Sequence, residues 1–598
     1  MTAPLFSIIT PVHNPPAEVL ERMLASVRSQ TFTDWEHCIV DDAGGDSTAW
    51  PLLERAAADE PRLRIRRSEE RGGIVAASNA ALELAQGDFL ALLDHDDELA
   101  PGALEAMARR INADAELDVL YSDEDKLGEG GRHYDRFVKP AWSPDRLRSQ
   151  MYVGHLSVLR RTLAEEVGGF RPGYDGSQDW DLWLRASAAA RRVERVPEVL
   201  YHWRAVGDSA ATDLDAKPWA HEASRRALTE QIERDGIEAT VEQTPGYPGH
   251  YWLAPALRDK PLVSVVIPTA GQTQEVCGVE TPLVVNCVRS IIERSSYENL
   301  EFVVVADTTT PTEVLDELRA AAGRRLRLVE YEPPFNFSAK INLGVQAAAG
   351  DYLLLLNDDI EVLPPTWRPS PPNSRSPVPD WPLAGEDGRR AWLEAMLVYA
   401  KQPGVGAVGA KLYFPDGNLQ HVGVAIMGGA PGHPFYGAPG NSAGYFANLI
   451  VATNHLAVTA ACMLTRRESF ELVGGFNEDF PVNYNDVDFC LELHSRGLRS
   501  VCLPWVELLH RESASRGKDP VSPPELDAFR SKWGERLAED PYYDRSFVGG
   551  NYGFDAGAAA ASYRMRARQL LREGGVRVLV ARSLGFLRRR ARERLRRR

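Results

Sequence analysis

Two clusters of acidic residues, each following an apolar run, carry the residue types best able to do chemistry in this chain. The first cluster contains Asp94 and Asp96, and the second contains Asn357 and Asp359 at the matching positions. Carboxylates crowded together repel one another unless a cation joins them, and oxygen ligands of this kind suit Mg²⁺ or Mn²⁺. We therefore predict a divalent-cation site at each cluster, with weaker binding in the second because one charge is missing.

The elements before each cluster explain how the acids would be positioned. Five consecutive apolar residues precede the acids, which is typical of a strand buried on both faces of a parallel sheet. Ligands bind at the carboxyl ends of such strands. Earlier patterns predict strands at 6–11, 37–40 and 63–66 and helices at 17–30, 47–58 and 73–86. This alternation predicts an α/β fold with a parallel sheet.

The same order of patterns occurs twice along the 598 residues, which is too long a chain for one core. Asn79 matches Asn342, Asp179 matches Asp486, and His202 matches His510. We predict the following organisation: a first domain at 1–215, a structured linker at 216–257, a second domain at 258–515 with a flexible surface insertion at 367–390, and a C-terminal extension at 516–598.

Composition narrows the class of protein. The net charge is −16, although residues 564–598 hold 14 Arg and 2 Glu, so the remaining chain is strongly acidic and does not suit nucleic-acid binding. The six scattered cysteines predict reduced core thiols in a cytoplasmic protein. No signal peptide or membrane-spanning run is expected.

The basic tail has its own pattern, because apolar residues fall on one helical stripe within it. An apolar stripe surrounded by Arg predicts peripheral contact with an anionic membrane surface, placing the protein at the inner face of the cytoplasmic membrane. The alternatives are a solvated tail or one that folds against the acidic body. The stripe consists of Val576, Leu579, Val580, Leu584 and Leu587.

Taken together, these motifs resemble family 2 glycosyltransferases with the GT-A fold. The resemblance covers about residues 5–210 and again 260–515, and it rests on a strand entering a turn at His13-Asn14, a second strand ending at Asp42, the acidic cluster, a Val-Gly-Gly-Phe segment and a later Asp-x-Asp. The second copy also resembles the rhamnosyltransferase-like members of bacterial O-antigen and capsule assembly. The motifs there are Phe335 to Ser338, Val408 to Lys411, Gln420-His421 and Asn485 to Asp488.

The resemblance implies two tandem GT-A domains, which are Rossmann-like nucleotide-diphospho-sugar transferase folds, followed by the basic tail. It implies inverting transfer from a nucleotide-sugar donor, with UDP or dTDP as the carrier, to a glycan or lipid-linked glycan acceptor of the cell envelope. Two domains would add two sugars, or one sugar through alternating linkages.

The resemblance also assigns roles to individual residues. Asp179 and Asp486 match the general base that removes the proton of the acceptor hydroxyl; the alternative for Asp179 is a helix cap. The metal ligands that it implies are Asp94, Asp96 and His202 in the first copy and Asp359 and His510 in the second. Either histidine could instead be structural.

Further positions match nucleotide contacts of the family. The carboxylates of Asp42 and Asp307 would accept a hydrogen bond from the nucleobase, although a carboxylate that ends a strand is also an ordinary turn former. The other candidate donor-binding residues are Arg71, Asn79, Asp94, Asn342 and Asn357. Trp180 and Trp183, or Tyr484 and Phe489, would form an acceptor platform unless they belong to the core.

Two other functions compete with this interpretation. A nucleotidyltransferase would also hold nucleotide and metal at strand ends, but no Gly-rich phosphate loop opens the first helix. Alternatively, the second copy is a glycan-binding or scaffolding module, since it has Asn357 and Ala306 where the first copy has acids.

Overall fold

The computed structural model describes residues 3–44, 47–204, 218–332, 334–364, 366–369, 384–511, 523–544 and 546–547. The predicted membrane-binding tail and most of the predicted insertion therefore lie outside the described residues. Within these ranges, no helix combines the length and the apolar character needed to cross a membrane.

The first domain is an α/β unit whose early elements match the predicted strands and helices. Its strands are β1 (Phe6–Val12), β2 (Trp35–Asp41), β3 (Leu63–Arg67), β4 (Phe89–Leu92), β5 (Glu98–Leu99), β6 (Leu117–Leu127), β7 (His133–Phe137), β8 (Ser157–Arg160) and β9 (Arg192–Arg204). Its helices are α1 (Ala17–Arg28), α2 (Trp50–Asp59), α3 (Ile74–Leu84), α4 (Ala103–Ala113), α5 (Pro144–Leu147), α6 (Arg161–Glu166) and α7 (Gln178–Ala189).

The sheet of this domain has the strand order β3-β2-β1-β4-β8-β6-β9-β5, and β7 pairs with β6. Strands β1 to β4 are parallel, as the alternation predicts. The sheet as a whole is mixed, because β8 runs antiparallel to both β4 and β6. The predicted α/β fold is confirmed, and parallel pairing returns between β6 and β9 beyond the antiparallel strand β8.

The linker contains helix α8 (Pro218–Arg234) and the antiparallel strands β10 (Ala239–Gln243) and β11 (Tyr251–Pro255).

The second domain has strands β12 (Val263–Thr269), β13 (Thr273–Val276), β14 (Val279–Pro282), β15 (Leu300–Asp307), β16 (Leu326–Tyr331), β17 (Tyr352–Leu356), β18 (Ile360–Val362), β19 (Val405–Tyr413), β20 (Leu419–His421), β21 (Ala425–Ile426), β22 (Pro431–Gly432), β23 (Thr453–His455), β24 (Cys462–Arg466) and β25 (Arg499–His510). Its helices are α9 (Leu283–Arg294), α10 (Thr312–Ala322), α11 (Phe337–Ala347), α12 (Gly385–Arg390), α13 (Trp392–Ala400), α14 (Arg467–Leu472) and α15 (Asn485–Ser495), and α16 (Pro523–Trp533) follows it.

The second sheet repeats the first, with the order β16-β15-β12-β17-β24-β19-β25-β18. The glycine before each acidic strand is part of the repeat. A Cβ atom on Gly87 would lie 2.6 Å from the backbone nitrogen of Ser7, so no larger residue fits. The Gly87 N–H donates to Ser7 Oγ, as the Gly350 N–H does to Ser264 Oγ, each at 2.8 Å. The same local packing thus places the acidic strand in both copies.

The two domains pack directly against each other. Asp145 of α5 is fully buried and accepts hydrogen bonds from Arg499 Nε at 2.5 Å and Asn454 Nδ2 at 2.8 Å, both in the second domain. The ring of Phe137 stacks on that of Phe446 with centroids 4.0 Å apart. Beyond the second domain, Asp544 forms an ion pair at 3.0 Å with Arg195 of the first.

Two local expectations need correction. Helix α12 occupies the last part of the predicted flexible insertion, and Arg389 within it is buried against Glu507, so this end of the insertion is ordered. Five of the six cysteines are buried free thiols as predicted, but Cys277 is exposed in the hairpin formed by β13 and β14.

Candidate active sites

In the first domain, Asp94 and Asp179 line one small cavity of about 50 Å³ together with His155. Asp94 follows β4, Asp179 lies in the first turn of α7, and His155 precedes β8. The Nε2 atom of His155 lies 3.5 Å from a carboxylate oxygen of Asp94. The fold therefore brings the predicted acid of the cluster and the predicted base to the same place.

The environment of Asp179 favours a proton acceptor. Burial raises the pKa of its carboxyl group, nearby His155 lowers it, and Asp94 raises it again. One oxygen accepts the backbone N–H of Trp180 at 2.8 Å. The N-cap of α7 is Ser177 and no side chain caps the helix, so this bond lies within the first turn and the cap interpretation of Asp179 is wrong. A carboxylate with a raised pKa takes up a proton more readily.

The remaining acids of the first cluster are crowded. Burial raises the pKa of Asp96, with His95 opposing the shift and Asp94 adding to it. Asp97 is fully buried, and its carboxylate accepts the Tyr201 hydroxyl at 2.6 Å and the Arg204 backbone N–H at 2.7 Å. These bonds fix the turn that presents Asp94 and Asp96. Crowded carboxylates of this kind fit a cation.

His202 departs from the arrangement that the resemblance implies. Its Nδ1 atom lies 2.7 Å from an oxygen of Asp125 on β6, and its ring packs on that of His133 with centroids 4.4 Å apart. The structure therefore brings His202 into a cluster with Asp125 and His133 rather than into contact with Asp94 or Asp96.

The second domain assembles its predicted residues more completely. Asn357, Asp359, Asp486 and His510 line one cavity of about 300 Å³. The Nε2 atom of His510 lies 3.2 Å from a carboxylate oxygen of Asp359 and 3.4 Å from Nδ2 of Asn357. A carboxylate, an amide and an imidazole in this arrangement form a donor set that fits Mn²⁺ or a similar divalent ion.

Asp486 lies in the same cavity at the start of α15. Its two carboxylate oxygens accept the backbone N–H groups of Val487 at 2.8 Å and Ala460 at 3.1 Å. Tyr484, which precedes the helix, has a φ of 63°, and this left-handed turn directs the following residues into the cavity. The carboxylate is thus oriented by backbone donors on two sides.

Several cavity residues were missed by the sequence analysis. His155 has no counterpart in the second copy, because the register of β8 with β4 and of β24 with β17 places Ala461 at the matching position. Because His155 is not repeated, the match between the two copies does not reveal it. Gln420 and His433, which line the second cavity, lie in a segment without a repeat. The Gln420-His421 motif was the sequence feature that could have indicated this side of the second cavity.

The two carboxylates predicted to contact the nucleobase already have bonding partners within their own domains. Both oxygens of Asp42 accept backbone N–H groups, from Gly72 at 2.9 Å and Gly73 at 2.8 Å. Asp307 pairs at 2.8 Å with the ammonium of Lys340, a buried side chain whose pKa is lowered by burial and raised by that carboxylate. Each carboxylate oxygen retains a further lone pair that can accept from a ligand.

Asn79 and Asn342 hold matching loops. Asn79 Nδ2 donates to Phe170 O at 2.8 Å while its Oδ1 accepts the Phe170 N–H at 3.0 Å. Asn342 makes the same pair of bonds with Phe476, each at 2.9 Å. These amides are therefore used to fix the Val-Gly-Gly-Phe loops rather than to face a nucleotide. Arg71 is exposed.

The four aromatic residues considered as an acceptor platform differ in position: three are buried in the core and one lines a cavity. Trp183 is fully buried and donates to Ser157 Oγ, and Trp180 is buried and donates to Leu147 O, so both belong to the core. Phe489 is buried as well, whereas Tyr484 lines the second cavity.

Comparison with known proteins decides the family. The family model "Glycosyl transferase family 2" matches residues 7–168 and 264–369, one segment in each domain. The chain is 34% identical over 204 residues to the uncharacterized glycosyltransferase YwdF of Bacillus subtilis, covering 73% of that protein and 33% of this chain. The chain belongs to glycosyl transferase family 2. Its fold is accordingly two tandem GT-A domains.

Two longer proteins match this chain across both of its domains. The O-antigen biosynthesis protein RfbC of Myxococcus xanthus is 37% identical over 549 residues, which is 90% of this chain and 40% of that protein. The uncharacterized protein y4gI of Sinorhizobium fredii is 38% identical over 553 residues, again 90% of this chain and 57% of that protein. The chain thus spans about half the length of these relatives.

Proposed function

We propose that this chain is an inverting glycosyltransferase with two catalytic sites, which uses a nucleotide-sugar donor and a divalent metal to extend a bacterial surface glycan such as O-antigen or capsule. The observation that carries this proposal is the shared cavity in each domain. Asp179 lies with Asp94 in the first, and Asp486 lies with Asp359 in the second.

Each cavity supplies the two opposed functions that sugar transfer requires. The carboxylate of Asp486 would accept the proton of the acceptor hydroxyl, whose oxygen then forms the new bond to the anomeric carbon. The bond from that carbon to the diphosphate breaks on the opposite face, and the nucleoside diphosphate leaves. A divalent ion held by Asp359 and His510 would stabilise the charge on the departing diphosphate.

The first site would work in the same way with different supports. His155 lies beside Asp94 in the first cavity, whereas Ala461 stands at the position that matches His155 in the second domain. Asp96 and Asp94 supply the carboxylates for a metal. Two such sites would add two different sugars, or the same sugar through alternating linkages.

The donor and the location that we propose are supported by the family and by the sequence. We favour a UDP- or dTDP-linked sugar as the donor, with Asp42 and Asp307 beside its nucleobase. The acceptor would be a glycan or a lipid-linked glycan. The O-antigen name of the Myxococcus relative supports this acceptor class. The chain would act in the cytoplasm, with the basic tail holding it at the membrane face where a lipid-linked acceptor is found.

The test is a screen of the purified chain, residues 1–598, against a panel of nucleotide sugars, scored for released nucleotide with and without candidate acceptors and Mn²⁺. We expect acceptor-dependent release from one or two donors. Release of pyrophosphate from nucleoside triphosphates and sugar phosphates, with no acceptor-dependent release from nucleotide sugars, would instead support a nucleotidyltransferase.

A further inference from the structure

Three side chains of types that can bind a metal meet on one face of the first sheet, and none of them lines either candidate cavity. They are Asp125, His133 and His202, and one ligand atom from each lies within 4.8 Å of the others. The mechanism proposed above uses neither Asp125 nor His133. Their arrangement therefore calls for a separate explanation.

The sheet register places these side chains together. Asp125 of β6 pairs directly with His202 of β9, so their side chains project from the same face. His133 of β7 pairs with Leu127, which is two residues beyond Asp125 on β6 and shares its face. Three adjacent strands thus supply one ligand each, and the hydrogen bonds of the sheet hold their spacing.

The distances suit a shared ion. His202 Nδ1 lies 2.7 Å from one oxygen of Asp125, and His133 Nδ1 lies 3.1 Å from the other. Ligands that each lie about 2.1 Å from a metal at tetrahedral or octahedral angles are roughly 3 to 3.5 Å apart. A small opening of the pair formed by His202 and Asp125 would therefore admit an ion between the three groups.

We propose that Asp125, His133 and His202 bind one Zn²⁺ ion. Two imidazoles and one carboxylate suit zinc and neighbouring transition metals, whereas Mg²⁺ prefers oxygen ligands alone. The His133 side chain is 49% exposed, which gives the ion a route from solvent and leaves a coordination position for water. The ion would tie the hairpin of β6 and β7 to β9.

Charges around the cluster are compatible with a cation. Lys126, the nearest ammonium on the hairpin, is neutralised by Asp135 at 3.2 Å. At the end of β9, Arg204 pairs with Glu98. In the absence of an ion, Asp125 would accept hydrogen bonds from both imidazoles, and this is the alternative that the experiment must exclude.

The experiment uses Co²⁺ as a spectroscopic substitute for Zn²⁺. The full-length chain is stripped with chelator and titrated with Co²⁺ in excess Mg²⁺, which occupies oxygen-rich sites such as that of Asp94 and Asp96. We expect visible Co²⁺ absorption that saturates and is displaced by one equivalent of Zn²⁺. No protein-dependent absorption would overturn the proposal.

Matched variants assign the signal. His133→Ala should remove this equivalent or weaken Co²⁺ binding at least ~10-fold, while the control Asp135→Asn on the same hairpin should retain it. Asp96→Asn should also retain it. Loss of the signal in Asp96→Asn together with full retention in His133→Ala would place the ion at the acidic cluster and overturn the proposal. Because the readout is metal binding, it is independent of glycosyl transfer.

Discussion

The carboxylate of Asp359 lies 3.2 Å from Nε2 of His510, whereas the matching histidine of the first domain, His202, contacts Asp125 instead of the acidic cluster. The two domains share strand order and candidate bases but differ in this contact. We therefore expect their metal requirements to differ. The first domain has two carboxylates in Asp94 and Asp96, and the second has one carboxylate supported by an imidazole.

The candidate bases should act independently. Changing Asp486 to Asn keeps the shape but removes the proton acceptor, and should lower the rate of the second domain's transfer by about 10² to 10⁴. Asp179→Asn should do the same for the first transfer alone. Product analysis by mass spectrometry separates the two steps. The exposed Asp479 provides a matched control, and a normal rate of full product from Asp486→Asn would reduce the second copy to a binding module.

Metal dependence should involve His510. Excess chelator should abolish transfer by both domains, and His510→Ala should raise the Mn²⁺ concentration for half-maximal activity of the second domain at least ~10-fold. Activity is measured across a Mn²⁺ titration. His494→Ala is the control, because that residue lies in the last turn of α15, away from the cavity. Full activity in chelator would rule out metal dependence for the domain concerned.

The loop fixed by Asn342 should contribute to stability. Asn342→Ala leaves the N–H and C=O of Phe476 without their amide partner, which should cost about 1 to 3 kcal/mol in the free energy of unfolding. Urea denaturation of the second domain's transition measures this loss. The exposed Asn299, which donates to Lys260 O, should lose little when changed to Ala. Equal losses for both variants would contradict a positioning role for Asn342.

The buried carboxylate of Asp145 should make the domain interface sensitive to acid. Burial opposes the charge, but Arg499 and Arg148 outweigh it and hold the pKa below its usual value of about 3.9. The stabilisation is therefore fully present above about pH 4 and is lost as pH falls through the lower folded-state pKa. Acid should separate the unfolding transitions of the two domains, as followed by calorimetry.

Asp145→Asn tests the cause of that acid sensitivity. Removing the charge leaves Arg499 buried without its partner and should cost about 3 to 5 kcal/mol at neutral pH. The variant should also lose the pH dependence below about pH 4. The exposed Asp316, which forms an ion pair with Arg319 of its own helix, is the control. An unchanged acid response in Asp145→Asn would assign it to other carboxylates.

The basic tail should carry membrane affinity. The full chain should float with anionic vesicles at low salt and release at high salt, while a chain ending near Gly557 should not float. Neutral vesicles are the control for electrostatic attraction between the Arg side chains and anionic lipid. Equal flotation of both chains, or of neither, would mean that the tail is not a membrane anchor.

Much of this architecture could be predicted from local patterns. Hydrophobic periodicity located β1 to β4 and α1 to α3, and the repeated acidic strand with its leading Gly87 or Gly350 predicted two copies of one domain. The candidate bases Asp179 and Asp486 could be selected because each follows a matching loop. These features depend on residues close together in sequence, so a one-dimensional pattern is sufficient to find them.

The tertiary structure decided which distant side chains meet. His510 reaches Asp359 because β25 pairs with β18, whereas His202 faces Asp125 because β9 also pairs with β6 and receives His133 from β7. His155 lines the first cavity, although the matching position of the second domain is Ala461. Sequence thus determined the family, the repeat and the chemistry available, and the sheet register determined the partners, since a side chain's contacts depend on neighbouring strands that are remote in the chain.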